Sequence, residues 1–178
     1  MNRLSFVGLL ALLGLTLLFV RPALALEKGD PAPPLTINPV NDDSDEGLQP
    51  LADAEGGVIL AFINGTAIKD DVPEDLQTLI RLFNNLHEDA EEEGARLGYM
   101  VVVGEYTEDQ ISAWAEHNNL TVPISLKDPN DEELKPWDLP GEATAVVYLI
   151  ENDAVGQETD QPDQYDDVFG VEEEEGEG

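Results

Sequence analysis

The chain has 178 residues, no cysteine, and 39 Asp and Glu against 8 Lys and Arg, for a formal net charge of −31. Without a thiolate there is no disulfide exchange, no cysteine nucleophile and no lipid anchor on cysteine. A field of that sign repels nucleic acid and anionic lipid and attracts cations and basic proteins, while runs of carboxylates are ordinarily solvated surface that suits saline surroundings.

Met1-Asn2-Arg3 is a short positive start, Leu4 to Val20 is apolar apart from Ser, Gly and Thr, and Ala23-Leu24-Ala25 is a small-x-small site. That is the anatomy of a secretory signal peptide, residues 1–25, cleaved after Ala25. Pro22 and the cleavage site favour removal over retention as a membrane anchor, so the expected location is secreted or periplasmic, with no membrane contact after cleavage. Removal leaves 178 less 25, or 153 residues, carrying six basic and 39 acidic side chains, a charge of −33. That length suits one domain able to bury a core without disulfide staples.

Residues 26–57 read as an extended arm, Glu27 to Pro50, with an acidic loop from Asn41 to Gly47. Val58 to Ile63 is a continuous apolar run bounded by Gly56-Gly57 and Asn64-Gly65, a strand buried on both faces. Pro73 opens a helix with Asp70 or Asp71 as cap; Leu76, Leu79, Ile80, Phe83, Leu86 and Ala90 mark its buried face, and Gly94 ends it. Its last turn holds Glu88, Asp89 and Glu91 to Glu93, anions that oppose the helix dipole. Tyr99 to Val103 is a second buried strand. Thr107-x-x-Gln110 is a capping box for a second helix, with Ile111, Trp114 and Ala115 inward and Asn118-Asn119 at its end. Val122 to Leu126 is a strand whose Pro123 places it toward an edge. Asp131 to Trp137 is a short helical turn, Ala145 to Ile150 a third apolar strand, Asn152-Asp153 a turn, and Val155 to Gln157 a short return strand.

The core is thus expected over 58–158, followed by an acidic, partly disordered tail over 159–178 in which Tyr165, Val168 and Phe169 are the candidates to pack back. Strands alternating with helices, then a hairpin, predict an α/β sandwich around a central mixed β-sheet.

The order of these pieces resembles the thioredoxin-like superfamily, nearest its redoxin branch of thiol-specific antioxidant proteins and exported thiol–disulfide reductases. The residues that carry the resemblance are Gly29-Asp30-Pro31-Ala32-Pro33, Gly57 to Phe62, Val72 to Leu76, Thr107 to Pro123, and Glu142-Ala143-Thr144 to Ile150. It covers about Gly29 to Gly156 and implies a thioredoxin-like three-layer sandwich. It also implies that the active-site cysteines fall between Asn64 and Val72. That loop reads Asn64, Gly65, Thr66, Ala67, Ile68, Lys69, Asp70, Asp71, Val72, without a thiol in any frame. Where family members carry a cis-proline this chain has Ala143, for which a trans bond is expected. The resemblance therefore implies a redox apparatus dismantled at both of its parts, and no catalytic residue is assigned.

Other chemistry is thinly supported. Thr66 needs a base to act as nucleophile, and His87 and His117 fall on helices, away from the loop. Asp70-Asp71 stands where α/β folds place ligands, yet capping is reason enough for the pair. His87 and Glu91 are two ligands at helical spacing, too few for a metal. Asp42, Ser44, Glu46 and Asp53 resemble a calcium loop whose twelfth position lacks the bidentate Glu; Asp128-x-Asn130-Asp131 is a comparable fragment. Ca²⁺ is thus the one cofactor the carboxylate pattern admits, as the alternative to an unidentified and preferably basic protein partner.

Overall fold

A computed structural model of the chain describes residues 26–41, 47–50, 56–88 and 95–170. The signal segment, the Asp42, Ser44, Glu46 and Asp53 set, the helix-end carboxylates from Asp89 to Glu93 and the terminal acidic run lie outside the described residues.

Five strands form one sheet in the order β3-β2-β1-β4-β5, with β1 Val58–Asn64, β2 Leu97–Val103, β3 Ile124–Lys127, β4 Ala145–Glu151 and β5 Ala154–Thr159. The first three are parallel; β4 and β5 run antiparallel to their neighbours. The sheet is therefore mixed, and the central β1 is buried on both faces, as its unbroken apolar run requires. Alternation divides the core. Ile59, Ala61 and Ile63 face one side; Val58, Leu60 and Phe62 face the other.

The first side carries the three α-helices found among the described residues. Helix α1, Glu74–Glu88, buries Leu76, Leu79, Ile80, Leu82 and Phe83. Helix α2, Glu108–His117, buries Ile111, Trp114 and Ala115, and its capping box is complete: the Gln110 N–H donates to Thr107 Oγ1 at 3.3 Å and the Thr107 N–H to Gln110 Oε1 at 2.9 Å. Helix α3, Tyr165–Phe169, returns to the same layer with Tyr165, Val168 and Phe169 buried, and Phe169 meets Phe83 edge-on at 5.0 Å.

The opposite side has no helix longer than one turn among the described residues. The N-terminal arm covers it. Next to β5, Gly29 N–H donates to Val155 C=O at 2.7 Å and Val155 N–H to Asp30 C=O at 2.9 Å. The arm then crosses the sheet, burying Leu35 and Ile37, and reaches β3, where Val40 N–H donates to Ile124 C=O at 2.8 Å. Asn41, read from sequence as the start of a loop, instead locks this end: its amide donates to Val122 C=O at 2.8 Å and accepts from Ile124 N–H at 2.9 Å. β3 is an edge strand as Pro123 indicated, and the arm occupies part of that edge. Phe62, Trp137 and Tyr148 complete this layer, with ring centroids 5.2 to 6.0 Å apart.

Lys127, almost wholly buried, fastens the arm. Its ammonium lies 2.7 Å from Glu133 Oε2 and 3.4 Å from Asp131 Oδ2, and Glu133 also accepts the Thr36 N–H at 3.1 Å and its hydroxyl at 3.0 Å. The hydrogen bond from Lys127 and those from Thr36 hold the Glu133 carboxyl below the usual carboxylate range, against the opposing cost of burial. The Asn152-Asp153 turn between β4 and β5 has positive φ at both residues, 54° and 61°, the signature of a two-residue hairpin turn.

Candidate functional site

The loop from Asn64 to Val72 leaves the end of β1 beside β2 on one hand and the entry to β4 on the other. Gly65–Ala67 form one 3₁₀ turn, capped by Asn64, whose Oδ1 accepts the Thr66 N–H at 3.0 Å and the Thr66 hydroxyl at 2.8 Å. The same Asn64 amide donates across to the segment before β4, to Gly141 C=O at 2.7 Å and Ala143 C=O at 3.3 Å. One side chain thus ties the loop to the stretch containing Ala143. All peptide bonds among the described residues are trans, including that before Ala143.

The other flank is held by Tyr106, whose hydroxyl donates to Gly65 C=O at 2.8 Å and lies 3.3 Å from Ile68 C=O. Gly65 sits against β2 so closely that a Cβ there would lie 2.8 Å from Val103 O and 3.0 Å from Gly104 Cα. Glycine is required by that backbone approach. Ala67 and Val72 are buried in the helical-side core, Ile68 packs against it, and Lys69, Asp70 and Asp71 are exposed. The Asn64 side chain therefore serves the loop's own backbone and that of the segment before β4. Thr66 Oγ1 is engaged with Asn64.

Two expectations are corrected. Neither Asp70 nor Asp71 caps α1. The Gln77 N–H donates to Pro73 C=O at 3.0 Å and the Gln77 amide to Val72 C=O at 2.8 Å, so Pro73 itself holds the cap position. And His117, expected away from the loop, comes to its side. Ile68, Lys69 and Asp70 share with Tyr106, Gln110, Ala113, Trp114 and His117 of α2 and its approach a cavity of about 350 Å³. Helical spacing puts Gln110, Ala113, Trp114 and His117 on one face of α2, and the loop supplies the facing wall. The indole N–H of Trp114 is covered and meets no acceptor among the described residues. This cavity lies on the α2 flank of the loop, away from the Asn64–Ala143 tie.

No group of three or more His, Cys, Asp or Glu side chains able to hold a metal ion occurs among the described residues. The Asp128-x-Asn130-Asp131 fragment spends its carboxylates locally. Asp128 Oδ1 accepts the Asn130 N–H at 2.7 Å and its amide at 2.9 Å, which lowers the Asp128 pKa, and Asp131 accepts the Glu133 N–H at 3.0 Å. On the arm side, Glu158 is pushed above the usual carboxylate range by burial and by the neighbouring Asp138 charge, while burial drives the Tyr148 phenol well above its ordinary value.

A mixed sheet in this order, with the loop leading from the central parallel strand into a helix on one face, is the thioredoxin-like fold, here in a chain with no cysteine. A thiol:disulfide interchange protein of the thioredoxin family from Chlorobium tepidum superposes with a TM-score of 0.58 at 11% identity, over 82% of this chain and 97% of that one. A secreted thiol-disulfide isomerase from Corynebacterium glutamicum gives 0.59 at 13%, over 78% and 82%. A secreted disulfide oxidoreductase from Mycobacterium tuberculosis gives 0.54 at 8%, over 78% and 96%. No family model and no curated protein matches the sequence. What is shared at these identities is the fold. No helix among the described residues is long and apolar enough to cross a membrane.

Proposed function

We propose that this protein is an exported thioredoxin-like domain without thiol redox activity, acting as a binding or scaffold module. The observation that carries the reading is chemical: a fold shared with thiol–disulfide enzymes, in a chain that holds no thiol at all. The geometry agrees with it. The loop at the end of β1 is spent on fixing backbone, through Asn64, Tyr106 and the close approach of Gly65. Export rests on the signal-peptide pattern of residues 1–25, and the charge favours a basic protein partner.

Two measurements test this. N-terminal sequencing of protein recovered outside the cytoplasm is expected to begin at Leu26. Peroxide consumption by the pure protein is expected to stay at the buffer rate; turnover proportional to protein concentration would overturn the reading.

A further inference from the structure

The cavity beside the loop has a neutral wall and exposed carboxylates close by. Its apolar lining is Ile68, Tyr106, Ala113 and Trp114, and its lining charges, Lys69 and Asp70, are opposite in sign. Four of the residues next in the chain to lining positions are exposed carboxylates: Asp71, Glu105, Asp109 and Glu116. An apolar hollow with exposed carboxylates close by suits an anchor side chain carried on a positively charged segment.

We infer that this cavity receives a neutral aromatic or large aliphatic side chain presented by a basic polypeptide segment. The inference rests on the binding-module reading above and names the chemistry of the partner. Three observations select that occupant. The volume, about 350 Å³, is at the small end of ligand cavities and fits one anchor side chain with its flanking backbone. The lining charges Lys69 and Asp70 offset each other, and Ile68, Tyr106, Ala113 and Trp114 offer an entering ammonium or guanidinium no carboxylate of their own, so a charged anchor would be desolvated there at a cost. The anchor is therefore neutral. The four nearby carboxylates, set in a chain of net charge −31, draw positive flanks and repel an acidic peptide or a free organic anion.

The test uses the purified protein and a fluorescein-labelled, lysine-rich peptide with one central phenylalanine, followed by anisotropy. Comparison peptides replace the phenylalanine by alanine, or every lysine by glutamate. Saturable binding is expected for the phenylalanine peptide, about ten-fold or more weaker binding for the alanine peptide, and none for the acidic one. Ala113→Trp, at an exposed position of α2, fills the cavity and is expected to abolish the preference for phenylalanine while leaving the weak, salt-sensitive attraction. Lys69→Trp blocks the facing wall and provides the same readout should the α2 substitution disturb folding. Equal binding of the phenylalanine and alanine peptides, no binding of either, or a preference that survives both blocking substitutions overturns the proposal. None of these outcomes touches the non-redox reading, which falls only to turnover.

Discussion

Replacing Asn64 by alanine removes two connections at once. The cap on the 3₁₀ turn is lost with the bonds from the Thr66 N–H and hydroxyl, at 3.0 and 2.8 Å. The tie to the segment before β4 is lost with the bonds to Gly141 and Ala143 C=O. A lost cap costs about 1 kcal/mol. The two crossing bonds reach water in part, so each belongs at the low end for a hydrogen bond, about 0.5 kcal/mol. The sum is about 2 kcal/mol, which for a domain of this size lowers the melting temperature by about 4–8 °C. The assay is urea unfolding followed by tryptophan fluorescence, read as a change in midpoint at constant slope. Asn64→Asp separates the two connections. It keeps the acceptor for the turn but faces a carboxylate against two carbonyl oxygens. It is expected to be destabilised at pH 7 and to recover as the pH falls and the carboxyl regains a donor. A stability for Asn64→Ala within about 0.5 kcal/mol of the parent refutes the claim that this side chain fastens the loop.

Three further outcomes are expected. Glu133→Gln leaves the nearly buried Lys127 ammonium without its nearest carboxylate and should cost about 2 kcal/mol at neutral pH. Because the Glu133 pKa is lowered in the folded state, the stability it contributes is present above the ordinary glutamate pKa and is lost as the pH falls through its folded value; the variant should show less acid-side loss in a pH series of melts, and identical profiles would contradict the pairing. Gly65→Ala forces a Cβ into the β2 backbone and should cost about 1–3 kcal/mol by chemical denaturation, whereas a neutral result would mean that β1 and β2 can part there freely. NaCl should raise the melting temperature by screening carboxylate repulsion, and Ca²⁺ at matched ionic strength should add nothing; a saturable Ca²⁺-specific rise would instead assign a cation site, for which Asp42, Ser44, Glu46 and Asp53 are the candidates.

The elements that could be read from sequence are those whose cause is local. The apolar runs at 58–63, 99–103 and 145–150 became β1, β2 and β4, since continuous burial needs no information beyond the run itself. Thr107 and Gln110 are three residues apart and satisfy each other, so their box was visible in the chain and is present in the structure. The Asn152-Asp153 turn followed for the same reason, from residues that tolerate positive φ. The site was legible only as a composition. The loop lacked cysteine, but nothing in Asn64-Gly65-Thr66 announced that Asn64 reaches residues 77 and 79 positions away, because an asparagine before glycine reads as an ordinary turn. His117 was placed away from the loop because helical spacing fixes a face without saying what that face meets. The arm was read as extended, yet its path across the sheet depends on Leu35, Ile37 and Asn41 finding partners far along the chain. Residue type and nearness to Pro73 point to Asp70 or Asp71 as the cap, yet the first intrahelical bond runs from the Gln77 N–H to Pro73 C=O, so Pro73 stands at the N-cap position.

The central claim is that this chain, on a fold shared with thiol–disulfide enzymes, carries out no thiol chemistry, and the most direct measurement is the reduction of insulin by dithiothreitol with and without the pure protein. The account predicts the same lag and the same rate at every protein concentration, since the chain supplies no thiol to attack a disulfide. A shortened lag that scales with added protein would contradict it.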